Sequence, residues 1–309
     1  MEISHYRNRK EKTMTKKIRI IGVPVDLGQA QRGVDLGPGA LRYADISVRL
    51  AGLGYEVEDI GNVAVPVRDV LNGEREQRYL PSILKVCEAV YQAGRSAIEK
   101  GCIPIFMGGD HSLSIGSIGG VTHHHSAGVI WVDAHGDFNT HETTITGNIH
   151  GMCMASLLGL GSNGLNSVGR EGAKLKPVDV VMVGIRELDP QERLQLRSSG
   201  IAVYTMRDID ERGMAQVARE ALGKLSHQSR LHVSLDLDGL DPIEVPGVGT
   251  TSPGGLTYRE AQLLMEIIAD TGQVTSMDIV EINPILDYRN KTAEVAVELA
   301  ASLFGKSIM

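Results

Sequence analysis

Short apolar runs alternate along most of the chain with longer segments in which apolar residues recur at helical spacing. A short run without a polar face is typical of a strand buried on both sides of a sheet. The pattern predicts eight strands, at residues 18–23, 55–60, 103–107, 129–133, 179–183, 202–205, 231–236 and 274–279. It predicts helices at residues 38–50, 80–100, from 112 onward, within 147–159, and at 208–225, 257–269 and 291–304. This alternation indicates the α/β class, with one parallel sheet covered on both faces.

No repeat, linker or low-complexity tract divides the chain, so we expect a single domain over residues 18–309. Residues 1–17 are polar and basic and precede the first apolar run, which predicts a flexible N-terminal extension. The glycine-rich segment 28–39 does not match the G-x-G-x-x-G pattern of dinucleotide sites. We expect its glycines to let the backbone turn tightly.

Ligand-type side chains follow three of the predicted strands. Asp133, His135 and Asp137 occupy alternate positions, and residues two apart on an extended strand point the same way. Two other strands are followed by further residues of this type, which are His111, Asp236 and Asp238. Ligands of such sheets collect at the carboxyl ends of the strands, so we expect these side chains to converge.

Four carboxylates this close together could not all stay ionised without compensation, because like charges raise each other's pKa. With two imidazoles they exceed what one ion needs, and they suit two divalent ions about 3.5–4 Å apart that share bridging carboxylates. Oxygen-rich ligation without thiolate favours Mn²⁺ over structural zinc. The alternative for any single aspartate is a helix cap or a surface ion pair, but the set at three strand ends favours the metal centre.

Composition narrows the function classes. A net charge of −7 and a pI of about 5.8, without a basic cluster, argue against a nucleic-acid partner. No apolar run approaches the roughly 18 residues of a membrane helix, and the N-terminus lacks a signal-peptide core. Three cysteines without a C-x-x-C motif fit a reducing compartment rather than a disulfide framework. We therefore expect a cytoplasmic protein with neither nucleic-acid nor membrane partners.

Five motifs extend the strand-end pattern, namely Gly108-Gly-Asp-His-Ser112, Asp133-Ala-His-Gly-Asp137, Gly147-Asn-Ile-His-Gly151, Ser234-Leu-Asp-Leu-Asp-Gly-Leu-Asp-Pro242 and Asp278-Ile-Val-Glu-Ile-Asn-Pro284. In this order and spacing they resemble the ureohydrolase family, and the arginase branch is the most similar. The resemblance runs from about residue 18 to the last predicted helix. It implies a catalytic domain with a three-layer sandwich around a single, mostly parallel eight-stranded sheet.

The resemblance also implies an activity, the cleavage of L-arginine to L-ornithine and urea by a hydroxide that bridges two Mn²⁺ ions. One ion would be held by His111, Asp133, Asp137 and Asp236. The other would be held by Asp133, His135, Asp236 and Asp238. The implied catalytic residues are His150 as proton shuttle, Glu281 as anchor of the guanidinium group, and Asp137.

Substrate choice depends on the α-carboxylate and α-amino group of arginine. By resemblance, Asn139, Thr146 and Asn148 would contact the carboxylate. The remaining implied substrate residues are Asp189 and Glu192 near the amino group, and Thr250. Local explanations stay open, because asparagine is common in turns and Asp189-Pro190-Gln191-Glu192 has the form of a helix capping box. The family usually has a hydroxyl and then proline after the glycine of the Thr250 loop, whereas here Thr251-Ser252 intervene before Pro253.

Two alternative functions remain. An agmatinase, or an enzyme for another guanidino substrate, would share the metal centre but not the loop with Asn139, Thr146 and Asn148. A catalytically silent metal-binding regulator would not need His150 and Glu281 beside the metal ligands. Cys153 near His150 could suggest a thiol nucleophile, but a buried apolar cysteine is the simpler interpretation. Similarity to bacterial members further implies a homotrimer or homohexamer.

Overall fold

The computed structural model describes residues 16–71, 78–161 and 164–307, and its centre is one eight-stranded sheet. The strands are β1 (Lys17–Val23), β2 (Glu56–Asn62), β3 (Cys102–Gly108), β4 (Gly128–Val132), β5 (Val180–Ile185), β6 (Ala202–Thr205), β7 (Leu231–Asp236) and β8 (Val274–Val280). Their order is β2-β1-β3-β8-β7-β4-β5-β6, and every neighbouring pair is parallel. The predicted strands and fold class are therefore confirmed.

Helices cover both faces of this sheet. They are α1 (Gly37–Tyr43), α2 (Ile46–Gly52), α3 (Leu80–Glu99), α4 (Ser114–Val121), α5 (Cys153–Leu157), α6 (Pro190–Ser199), α7 (Met206–Arg212), α8 (Met214–Lys224), α9 (Tyr258–Ala269) and α10 (Lys291–Leu303). Ile18 and Ile20 of β1 pack in a core with α1, α2 and α7 to α10. Ile21 and Val23 pack in a second core with α3 to α6. Because alternate strand residues point to opposite faces, one apolar strand supplies both cores of a three-layer sandwich.

Two predicted helices are each divided in the structure. The helix predicted at 38–50 is interrupted at Asp45, which has a left-handed backbone with φ 61°. Aspartate is one of the few residues other than glycine that adopt this conformation. The helix predicted at 208–225 is interrupted at Gly213, whose φ of 79° and ψ of 146° are open to glycine. Helix α6 was not predicted beyond its capping signal, because its sequence is strongly polar.

The first strand begins one residue before its predicted start. Residues 1–15 of the expected extension are outside the described part of the chain, and β1 begins at Lys17 rather than at Ile18. Within the described ranges, no helix is long and apolar enough to cross a membrane. The adjacent strands β3, β8, β7 and β4 end at the same edge of the sheet, so the loops that follow them meet there.

Candidate active site

Short backbone turns at the carboxyl ends of the strands aim the predicted metal ligands at one place. Asp133 Oδ1 accepts the backbone N–H of His135 at 2.7 Å, and Asp236 Oδ1 accepts that of Asp238 at 2.9 Å. Each turn uses one carboxylate oxygen and leaves the other, Oδ2, directed into the cluster. Asp236 thus caps the short 3-10 helix at Leu237–Gly239, as the helix-cap alternative predicted, whereas Asp133 closes a local turn. Both roles coexist with a place in the cluster.

All six predicted metal ligands meet at this edge of the sheet. The His111 Nδ1 atom lies 3.3 Å from Asp133 Oδ2, 3.2 Å from Asp137 Oδ2 and 3.0 Å from Asp236 Oδ2. The second histidine has its own pair of acids: His135 Nδ1 lies 3.4 Å from Asp133 Oδ1 and 3.1 Å from Asp238 Oδ2. Two triads result, and they share one carboxylate: His111–Asp133–Asp236 and Asp133–His135–Asp238.

The donor atoms of this cluster fit divalent cations. His111 is fully buried, and its Nδ1 atom has no aligned hydrogen-bond partner within the described ranges although three carboxylate oxygens surround it. Its Nε2 atom is 2.9 Å from Ser234 Oγ, a contact that leaves Nδ1 free to offer its lone pair. An imidazole nitrogen among converging carboxylate oxygens is a common arrangement for a transition-metal ligand.

The charges of the cluster also require cations. Burial raises the pKa of Asp137, Asp236 and Asp238, and neighbouring carboxylates raise it further; for Asp238 the result is about 6. Asp133 is buried too, but the adjacent imidazole rings of His111 and His135 lower its pKa below the ordinary range. The lowered pKa of Asp133 thus favours its ionised form, whereas the raised pKa of the other three acids favours their protonated form. Divalent ions would allow all four to ionise together.

Trp131 and Ser234 hold ligands in place, and the sequence analysis missed both. The indole ring of Trp131 stacks on the His111 ring with centroids 4.0 Å apart and planes 6° apart. Its Nε1–H donates to Asp133 Oδ2 at 2.9 Å. Trp131 lies two residues before Asp133 and therefore on the same face of its strand, a signal that could have found it.

The predicted substrate residues line one cavity beside the carboxylate–imidazole cluster. The predicted substrate residues in its lining are Asn139, Thr146, Asn148, Asp189, Glu192 and Thr250. His150 and four predicted metal ligands, His135, Asp137, Asp236 and Asp238, line it too. Thr144 and Glu187 also line the cavity and were not predicted. Thr250 thus reaches the cavity despite the unusual Thr251-Ser252 that follows it.

Hydrogen bonds organise the wall of this cavity around α6. Asn139 Nδ2 donates to Asp189 Oδ2 at 3.0 Å. Glu192 is buried and accepts the backbone N–H groups of Phe138 at 2.8 Å and Asp189 at 3.1 Å. Burial raises the pKa of Glu192 to about 7. The capping-box interpretation of Asp189 and Glu192 is therefore confirmed, and both residues still face the cavity.

His150 and Glu281 form a buried pair next to the cluster. His150 Nδ1 donates to Glu281 Oε1 at 3.0 Å, and Glu281 is only 1% exposed. Burial lowers the pKa of His150, but Glu281 more than offsets this and raises it to about 9. Burial conversely raises the pKa of Glu281, and His150 brings it below its ordinary value. Both shifts favour an imidazolium beside a carboxylate.

Two residues of the site have strained backbones. Asp137 has φ 48° and Glu281 has φ 65°, both in the left-handed region that favours glycine. Such conformations cost about 1–3 kcal/mol each and persist where surrounding structure enforces them. Cys153, by contrast, is not activated: burial raises the pKa of its thiol, and its Sγ contacts the backbone carbonyl of His150 at 2.8 Å. The simpler interpretation of Cys153 as an inert buried residue is supported.

A carboxylate–imidazole cluster at the carboxyl edge of a parallel sheet, with an ionised His–Glu pair beside a polar cavity, defines a class of α/β metallohydrolases. Comparison with known proteins narrows the class. A family model described as "Arginase family" matches residues 16–305, and the chain belongs to the arginase family.

Similar proteins span nearly the whole chain. An arginase from Bacillus subtilis (strain 168) is 48% identical over 297 residues, covering 96% of this chain and 100% of the relative. One from Bacillus caldovelox is 48% identical over 298 residues, covering 95% and 100%. The solved native structure of Bacillus caldovelox arginase at pH 5.6 matches with a TM-score of 0.92 at 47% identity, covering 96% of this chain and 100% of that one. Entamoeba histolytica arginase in complex with L-ornithine matches with a TM-score of 0.84 at 30% identity, covering 94% and 99%.

Proposed function

We propose that this chain hydrolyses the guanidino group of L-arginine to give L-ornithine and urea. The observation that carries the proposal is the buried contact of 3.0 Å between His150 and Glu281 beside a cluster of four buried aspartates and two histidines. A metal-binding regulator would need the cluster but not the pair. Full-length similarity to arginases supports the same activity.

The cluster is proposed to hold two Mn²⁺ ions. His111, Asp133, Asp137 and Asp236 would bind one; Asp133, His135, Asp236 and Asp238 would bind the other. The two triads that share Asp133 support a pair of ions, and oxygen-rich donors without thiolate favour manganese. When bound, the ions supply Lewis-acid activation of a water molecule, which becomes the nucleophile for the guanidinium carbon.

Glu281 is proposed to anchor the guanidinium group of the substrate. Its carboxylate is buried and ionised, so a charge-assisted hydrogen bond to a guanidinium nitrogen would be strong and directional. This contact holds the guanidinium carbon above the metal cluster. Holding two reactants in the productive geometry removes much of the entropic barrier to their reaction.

His150 is proposed to supply the proton that the leaving amine requires. The bond that breaks joins the guanidinium carbon to the side-chain nitrogen of the ornithine product, and this nitrogen must be protonated as it leaves. His150 uses Nδ1 to contact Glu281 and lines the cavity, so Nε2 is its available donor. With a pKa raised to about 9, the ring holds its proton at neutral pH.

The cavity wall is proposed to bind the α-carboxylate and α-amino groups of arginine. Asn139, Thr146 and Asn148 would donate to the α-carboxylate. The acidic end of α6 would receive the α-amino group at Asp189, with Glu192 holding the Asp189 backbone and Thr250 closing the opposite side. Agmatine lacks the α-carboxylate, so it would leave these donors without a partner.

The decisive experiment measures urea release from L-arginine and from agmatine by manganese-loaded protein under identical conditions. Two or more hydrogen bonds to a charged group, each worth about 1.5–3 kcal/mol, predict a preference for arginine of about 100-fold or more in kcat/KM. Asn148→Ala should reduce this preference, whereas the matched variant Asn166→Ala, outside the cavity, should retain it. Preference for agmatine would support the agmatinase alternative. A protein that binds manganese but releases urea from neither substrate would favour another guanidino substrate or the regulatory alternative.

We further propose a cytoplasmic homotrimer or homohexamer. Cys87, Cys102 and Cys153 are all free thiols, as a reducing compartment predicts. Ile243, at 82% exposed, and Ile285, at 67%, are apolar side chains of the kind that subunit contacts cover. Sedimentation that shows only monomer at micromolar concentration would contradict the assembly.

A further inference from the structure

We propose that Gln29 is a positioning residue that fixes the orientation of the Glu281 carboxylate for the substrate guanidinium group. The inference rests on the proposed role of Glu281 and adds a specificity element from the opposite end of the chain. The Gln29 side chain is buried, with 5% exposed, and its Nε2 donates to Glu281 Oε2 at 2.6 Å.

Donors from three separate segments hold the Glu281 carboxylate. Oε1 accepts the backbone N–H of His111 at 2.9 Å and contacts His150 Nδ1 at 3.0 Å, while Oε2 receives the amide of Gln29. Among the described residues, only Gln29 contacts Oε2. This contact therefore determines the rotation of the carboxylate plane. A carboxylate oxygen has two lone-pair directions, which leaves one on Oε2 for a guanidinium N–H.

The neutrality of Gln29 is essential to this arrangement. An amide orients the carboxylate without adding a second positive charge to that of His150, so Oε2 keeps negative charge for a cationic substrate. The amide can face Glu281 only with its NH₂ group, because an ionised carboxylate accepts hydrogen bonds and does not donate them. The Oε1 atom then lies against Gly249, where an added Cβ would be 2.9 Å from it. Glycine at this position makes room for the amide.

The backbone around Gln29 is itself firmly held. The Gly28 N–H donates to Asp110 Oδ2 at 2.7 Å, and the Gly28 carbonyl accepts the His150 backbone N–H at 3.1 Å. Arg68 donates to the Gln29 carbonyl at 2.8 Å. A Cβ on Gly28 would lie 2.6 Å from Asp110 Oδ1, so a larger residue would displace the segment. The loop is therefore built to deliver one side chain to Glu281.

The test compares binding of two probes to manganese-loaded protein, measured as inhibition constants against arginine. Guanidinium ion probes the proposed contact with Glu281, and L-ornithine, which lacks a guanidinium group, probes the contacts proposed for the amino-acid end of the substrate. Gln29→Met, which keeps the length of the side chain but removes the donor, should weaken guanidinium binding about 10-fold or more. Ornithine binding should change by less than about twofold, and manganese content should stay at the wild-type value.

The matched control is Gln228→Met. Gln228 is also a buried glutamine whose Nε2 donates to a carboxylate, Asp179 Oδ1, at 2.7 Å, but Asp179 is not one of the predicted site residues. This variant should bind guanidinium as the wild type does. The decrease in its thermal unfolding temperature measures how much stability is lost with such a hydrogen bond. A Gln29→Met variant that loses guanidinium, ornithine and manganese binding together would show general structural damage and overturn the inference.

Glu281→Gln separates this inference from the proposed function. If Glu281→Gln leaves guanidinium binding unchanged, the anchor role of Glu281 is wrong and the proposed function loses that step. If Glu281→Gln weakens guanidinium binding but Gln29→Met does not, the anchor stands and the positioning role of Gln29 is refuted. Parallel losses in both variants, with ornithine binding retained, support the inference.

Discussion

Replacing Trp131 with Phe tests whether the aromatic residue behind the metal cluster contributes to ion binding. Trp131 makes two contacts with proposed ligands, a ring stack on His111 and an Nε1–H hydrogen bond to Asp133 Oδ2 at 2.9 Å. Phenylalanine keeps an aromatic ring against His111 and removes the donor. The substitution therefore isolates the hydrogen bond to Asp133.

The expected magnitude follows from this single contact. A hydrogen bond to a charged group contributes about 1.5–3 kcal/mol, and about 1.4 kcal/mol corresponds to a factor of ten in affinity. Metal affinity should therefore fall roughly 10- to 100-fold, which matches the usual effect of removing a partner of a metal ligand. Trp131 is fully buried, so the smaller ring should also cost the metal-free fold roughly 2 kcal/mol.

Titration calorimetry of metal-free protein with Mn²⁺ provides the measurement. Asp133 belongs to both triads, so Trp131→Phe should weaken both binding steps. Ser234→Ala, which removes only the contact with His111 Nε2, should weaken one step. Trp131 is the sole tryptophan, so quenching of its fluorescence by Mn²⁺ follows the same titration in the wild type. A dissociation constant within twofold of wild type in Trp131→Phe would refute the reasoning.

Two further predictions concern the His–Glu pair. His150→Asn should retain its manganese content and slow urea release by about 10²- to 10⁴-fold, the usual contribution of a positioned general acid; unchanged turnover would disprove the assignment. In metal-free protein, Glu281→Gln should lower the pKa of His150 from about 9, because burial is then opposed only by the weaker effects of Asp137 and Asp110. The raised pKa of His150 stabilises the wild-type fold below about pH 6.5, and this contribution to the free energy of unfolding is lost as pH rises toward 9. Histidine NMR should show the raised pKa, and denaturant unfolding should show the pH-dependent stability, only in the wild type.

Much of the site could be predicted from local patterns. The alternate spacing of Asp133, His135 and Asp137 predicted that they share a site, and the structure brings the three residues together. The expected geometry was different, because β4 ends at Val132 and the residues lie on a loop in which Asp137 has a left-handed backbone, with φ 48°. The capping box at Asp189 was recognised from its sequence because it needs only neighbours along the chain. The helix interruptions at Asp45 and Gly213 were not predicted, because each comes from the backbone conformation of one residue and not from the spacing of apolar residues.

The sequence by itself determined the elements, their caps and the residue types at the strand ends, because these depend on contacts between near neighbours. Only the tertiary structure decided which strands lie side by side. Insertion of β8 between β3 and β7 brings Glu281 to His111 and His150, and the first loop delivers Gln29 to Glu281 across 252 positions of sequence. Trp131 acquires its role in the same way, since its ring meets His111, which follows the end of a different strand. Such contacts depend on strand order and packing, which no local period encodes.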